Sequence, residues 1–194
     1  ECAALEQEIE QQLRTLEAPT VFALPFFGGE RSPGWVDHAT ASFHGVTRNT
    51  RRSDLLRAIM EGVCFRLKEI LLRIESGVHQ ASTDPHAPTS VRLVVSGGAL
   101  EQSRLWRFML SQVTSKPVYA IHAAAELTSV GVGQLLLSRL WASDGGAKLV
   151  QDVSLHVDSE PRTDIVRMYD AAFAQHRDLY LRAWGRANGD DHDA

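Results

Sequence analysis

The stretch Val94-Val95-Ser96-Gly97-Gly98-Ala99-Leu100 closes an apolar run at 91–95 and opens a segment of helical spacing. An apolar run this continuous is the mark of a strand covered on both faces. Beyond the glycines, Leu105, Trp106, Met109, Leu110 and Val113 recur at the spacing of one helix face, so a single helix is expected to carry them inward from the glycine pair. Glycine has no Cβ, which lets a ligand approach the main chain. Free amide N–H groups at the positive end of a helix dipole favour phosphate. The pair matches neither the Walker pattern nor GxGxxG, and a left-handed turn alone can demand glycine. The turn by itself leaves both readings open. Ser96 sits in no GxSxG elbow and has no evident histidine partner, so a hydrolase is a poor reading.

The flanking segments alternate in type. Residues 3–16 carry Leu5, Ile9, Leu13 and Leu16 at helical spacing, and Pro19 ends them. Residues 21–25 read as a short strand entering the glycine-rich loop 26–35, and 42–46 as another strand. Ser53 is expected to cap a helix reaching about Ile74, with Leu55, Ile59, Val63, Leu67, Ile70 and Ile74 as its inward stripe. Residues 76–90 read as a surface loop, 117–121 as a strand, and 128–141 as a helix in which Gly131 and Gly133 lie on one side while Leu135, Leu136 and Leu140 fill in. The last helix, 163–184, has the stripe Ile165, Tyr169, Phe173, His176 and Tyr180. Strand and helix alternating in this way argue for an α/β layer structure, with 1–187 as one domain and 188–194 as a polar, disordered tail.

The chain has 194 residues, 44% of them hydrophobic, enough to fill an ordinary core. A net charge of −4 gives no broad basic surface, so neither nucleic acid nor an anionic membrane is the expected partner. Two cysteines, Cys2 and Cys64, and eight scattered histidines make no disulfide framework and no metal set. His176, on an apolar stripe, reads as a satisfied core histidine, and the acidic tail as solvated. The low cysteine usage makes a reducing cytoplasm the expected setting, no apolar run approaches the roughly 18 residues of a membrane span, and no signal peptide is visible. The chain starts with Glu1 and its first methionine is Met60, from which a longer parent protein is expected.

Five blocks, "LPFFGGERSPGW" (24–35), "FHGVT" (43–47), "RAIMEGVCFRL" (57–67), "VVSGGALEQSRLWRFMLSQVTSKPV" (94–118) and "ELTSVGVGQLLL" (126–137), resemble in order the C-terminal domain of the FGGY carbohydrate kinases. That family includes gluconokinases, xylulokinases and glycerol kinases. The resemblance implies the actin-like ATPase architecture, two ribonuclease-H-like domains closing over a cleft, with ATP mainly on the C-terminal domain and sugar on the N-terminal one. This chain would be that C-terminal domain, truncated on its N-terminal side.

By the same resemblance, Gly97 and Gly98 match the pair that meets the nucleotide, and Gln102 matches a polar position beside the adenosine, where glycerol kinases carry Asn. Glu126, Thr128 and Gly131 match an "E-x-T/S-x-x-G" block, although the two glycines also fit a helix pressed close to the sheet. Glu30 and Arg31 read equally as cleft support or as an exposed salt-bridged loop brace, and Trp35 and Trp106 as packing groups. The family's catalytic Asp and its GTS or GTG phosphate loop are absent from this chain. MgATP and a sugar or sugar acid, gluconate or a pentulose, are the implied substrates, the sugar being held by a missing lobe. The family often forms dimers, which leaves a homodimer open. A non-catalytic regulatory or partner-binding module of the same fold is the alternative.

Overall fold

The computed structural model describes residues 2–81, 91–121, 127–140 and 155–185. Helix α1 (Cys2–Arg14) leads through Pro19 into β1 (Phe22–Leu24), which pairs antiparallel with β2 (Ser42–His44), Ala23 standing opposite Phe43. Helix α2 (Arg52–Ala81) follows, then β3 (Leu93–Val95), the short α3 (Gly98–Gln102), α4 (Arg104–Thr114) and β4 (Val118–Ile121). Helix α5 (Leu127–Leu140), β5 (Leu155–Ser159) and α6 (Thr163–Trp184) complete the order. Strands β3 and β4 are parallel and β4 and β5 antiparallel, with Tyr119 opposite both Val94 and Val157. The alternation expected from the sequence is thus an α/β fold. Strand β5 adds to it an element that the sequence reading passed over.

The main core lies where α1, α2, α4 and α6 meet one face of the three-stranded sheet. Leu105, Met109, Leu110 and Val113 of α4, Ile9 and Leu13 of α1, Phe65 of α2 and Tyr169 of α6 are all buried there. Each large apolar side chain so buried contributes about 1.5–3 kcal/mol. Helix α6 buries Ile165, Tyr169 and His176 and half-buries Phe173 and Tyr180, as its stripe predicts.

Helix α2 differs from expectation in both its ends and its face. Ser53 lies inside the helix rather than capping it; the Asp54 carboxylate accepts from Arg51 N at 2.8 Å instead. The helix runs on to Ala81, taking in the first residues of the expected loop, while 82–90 lie outside the described residues. Of the expected stripe, Leu67 and Ile74 are exposed and Leu55, Ile59, Val63 and Ile70 are half-buried. The face turned inward carries Arg57, Met60, Glu61, Cys64 and Phe65. The reason is a crossing with β1: a Cβ on Gly62 would stand 2.5 Å from the Ala23 carbonyl oxygen. That contact admits only glycine and sets which side of α2 faces the core.

Other expectations are not met among the described residues. Val95 is buried, but Val94, on the opposite face of the strand, is 41% exposed. In α5, Leu135 and Leu136 are exposed, and a Cβ on Gly131 would meet no atom within 4 Å, so Gly131 does not serve a close approach to the sheet. Trp106 packs against the core, whereas Trp35 is 75% exposed at φ +56° on its loop. Trp141 and the tail 188–194 lie outside the described residues.

Candidate functional site

Strand β3 delivers the chain to an exposed corner at Ser96, Gly97, Gly98 and Ala99. Gly97 has φ 97° and ψ 150°, a conformation essentially confined to glycine. A side chain there would meet no neighbour within 4 Å, so the requirement is one of backbone conformation and not of space. Gly98 also has open space where its Cβ would be. No side chain caps α3, and the first N–H groups of a helix have no intrahelical partner. The Gly97 amide is the exception, donating to the Glu101 carboxylate at 3.1 Å.

The single helix expected after the glycines is two helices. Ser103, at φ −107° and ψ 101°, breaks the path. Its hydroxyl accepts from Trp106 N at 3.2 Å and donates to Glu6 of α1 at 2.9 Å, starting α4 afresh. Helix α3 therefore spans only five residues and sums few peptide dipoles. What it offers an anion is its aimed N–H groups, more than a macrodipole.

Arg107 holds this corner in place. Its guanidinium donates to the Leu100 and Glu101 carbonyls at 2.5 and 2.8 Å, and to both oxygens of Asp158 in β5 at 2.8 and 3.1 Å. The fork thus satisfies the carbonyl end of α3 and anchors it to the sheet. Arg107 is not marked by any motif; its one signal in the sequence is a cation within the apolar stripe of α4. Gln102 ends α3, four residues after Gly98, and is exposed.

Glu30 is buried, at 3% exposure, and its partner is not Arg31. It pairs with Arg66 of α2, accepts from the Tyr180 hydroxyl of α6 at 2.6 Å and accepts from Gly34 N at 3.2 Å. The Arg66 guanidinium also lies 4.0 Å from the centre of the Tyr180 ring. Burial, with the Glu30 carboxylate beside it, pushes the Tyr180 hydroxyl up to about 12. The expected exposed brace is instead a buried clamp joining the loop to two helices, and Arg31 stays exposed outside it. Of the other expected site residues, Glu126 lies outside the described residues and Gly131 sits exposed in α5.

A second buried network fastens α2 to α6. Arg57 Nε donates to Glu61 Oε1 at 2.7 Å, and the Tyr169 hydroxyl donates to the same oxygen at 3.0 Å. Arg57 also donates to Gln12 of α1 at 3.3 Å and to the Glu17 carbonyl at 2.9 Å. Burial pushes the Glu61 carboxyl up, opposed by Arg57. Among the described residues no three His, Cys, Asp or Glu side chains gather into a metal set.

Residues 2–136 match the model of the C-terminal domain of the FGGY family of carbohydrate kinases. The chain belongs to that family. As an FGGY domain it is 30% identical over 115 residues to a glycerol kinase of Parabacteroides distasonis, a match covering 59% of this chain and 21% of that protein. Among solved structures it is similar to a xylulose kinase from Rhodospirillum rubrum, with TM-score 0.65 and 22% identity over 93% of this chain and 33% of that one. A Plasmodium falciparum glycerol kinase with ADP superposes with TM-score 0.62 and 23% identity, over 92% of this chain and 33% of the other. These likenesses establish the actin-like ATPase fold of the FGGY kinases for this chain. The FGGY domain here spans about a fifth to a third of the length of these relatives.

Proposed function

We propose that this chain is the ATP-binding half of a carbohydrate kinase, which transfers the γ-phosphate of ATP to a hydroxyl of a sugar or sugar acid. Gly97, Gly98 and Gln102 form its nucleotide contact. The observation that carries this reading is the uncapped, exposed glycine corner, strained at Gly97 and tied down from behind by Arg107. Amides of the α3 first turn donate to the diphosphate oxygens, and the missing Cβ atoms let the diphosphate reach the main chain. Membership of the family and the ADP-containing relative support ATP as the nucleotide.

Magnesium would arrive on the nucleotide; the described side chains make no set of their own for it. The acceptor is a pentulose or gluconate on the character of the GERSPGW loop, and glycerol is the competing acceptor because the sequence relative is a glycerol kinase. The sugar and the catalytic base belong to a lobe outside this chain, so the isolated chain is inactive.

Titrating the chain with a non-hydrolysable ATP analogue tests the contact. Gly98→Val has room in the fold, since no atom lies within 4 Å of its Cβ position, but it places a branched side chain where the phosphates approach. The expected result is affinity weakened by roughly tenfold with an unchanged melting temperature. Equal affinity in the two proteins would reject the site, and no binding by either would favour a non-catalytic module of the same fold.

A further inference from the structure

Helices α1, α4 and α6 enclose a pocket of about 250 Å³ that does not include the glycine corner. Its floor is apolar: Leu13, Leu105 and Ile165 are buried, and Phe108 is half-buried beside them. Its wall carries Arg14, Arg104 and Arg162 together with Glu10, and Asp164 pairs with Arg162 beside it.

Two of these guanidinium groups have carboxylate neighbours. Arg162 pairs with Asp164 at 2.6 Å, while Arg14 reaches Glu10 only at 3.8 Å. Arg104 has no ion pair or hydrogen bond among the described residues. It also opens α4, whose first turn contains no acidic residue, although that end of a helix favours anions over cations. An exposed guanidinium with no ion pair among the described residues, above an apolar floor and beside two further arginines, is available to close on a bound anion.

We propose that this pocket is a binding site for a small amphipathic organic anion, a carboxylate or phosphate carried on one ring or a short aliphatic body. The guanidinium rim takes the charged head, for which its planar fork is suited. The floor formed by Leu13, Leu105, Phe108 and Ile165 takes the apolar body. The volume lies just below the roughly 300–1,000 Å³ of ordinary ligand sites, which limits the body to about one ring. The site is separate from the proposed nucleotide contact, and its existence does not depend on that contact.

Amide chemical shifts of the ¹⁵N-labelled chain, titrated with phenyl phosphate and with benzoate, provide the test. Inorganic phosphate serves as the head alone and benzyl alcohol as the uncharged body. Saturable shifts are expected at Leu105, Phe108 and Ile165 from at least one of the two anions, with both controls binding more weakly. Arg104→Gln, an exposed and unpartnered position, should weaken that anion roughly tenfold without moving the remaining spectrum, and Glu10→Gln should strengthen it. An ATP analogue should leave the shifts in place. The proposal is overturned if neither anion saturates these amides, if Arg104→Gln binds as tightly as the parent, if either control matches the anion, or if the nucleotide displaces it.

Discussion

Glu101 already occupies one donor of the proposed nucleotide contact, because its carboxylate accepts the Gly97 amide. A phosphate arriving at the corner must displace that carboxylate or tolerate its charge. Glu101→Gln keeps a weaker acceptor and removes the repulsion, so an ATP analogue should bind about two- to fivefold more tightly. Calorimetric titration checks this, and weaker binding by the variant would contradict it. His176 supplies a prediction of another kind. It is buried, its Nε2 donates to the Ala23 carbonyl at 3.1 Å, and burial, then the nearby Arg66 charge, push its pKa down to about 4. The unfolded chain protonates this ring near 6.5, so between about 6.5 and 4 the unfolded state binds more protons than the folded one. Stability should therefore be intact above pH 6.5 and fall as the pH drops towards 4, by up to about 3 kcal/mol. Urea midpoints at pH 7 and pH 5 measure the slope. His176→Gln, which retains a donor for Ala23, should flatten it, and an unchanged slope would place the titration elsewhere.

At the scale of elements, α2 is the part where charge and packing are entangled. Glu61→Leu would leave the Arg57 guanidinium buried without its partner, at a cost of about 3–5 kcal/mol in chemical denaturation. Arg57→Met added to it removes the orphaned charge and should restore most of that loss, since apolar pairs of similar volume often replace buried ion pairs without penalty. Additive losses in the double variant would mean that the pair's links to Gln12, Glu17 and Tyr169 matter more than the pair itself. This is also where the sequence was least legible. A stripe of Leu, Ile and Val predicted the helix correctly but predicted the wrong inward face. Glu61 is sequestered by Tyr169, 108 residues away, and Gly62 by the passing strand β1. No local spacing records either partner. Helix α6 was read correctly because its buried face is almost wholly apolar, and the one polar group on it, His176, fits the expected role of a satisfied core histidine.

For the whole molecule, the proposal places phosphoryl transfer across a cleft of which this chain supplies one wall. Losing a general base costs roughly 10²–10⁴ in rate, and losing the held second substrate forfeits effective molarities on the order of 10⁵–10⁸ M. The isolated chain should accordingly show no turnover above background with MgATP and gluconate, D-xylulose or glycerol in a coupled ADP assay; ordinary turnover would refute the division of labour. The alternation of strand and helix and the position of the glycine corner were legible in linear sequence, because strand and helix periods and the backbone demands of glycine are local properties; the family was legible through the resemblance of five ordered blocks. The break at Ser103 depends on Glu6 reaching across from α1, and the Arg107 fork depends on Asp158 in a strand that periodicity did not reveal. Glu30 found Arg66 and Tyr180 in place of its neighbour Arg31 for the same reason. A buried charge takes whichever opposite group the packing brings within reach, and only the folded chain decides which group that is.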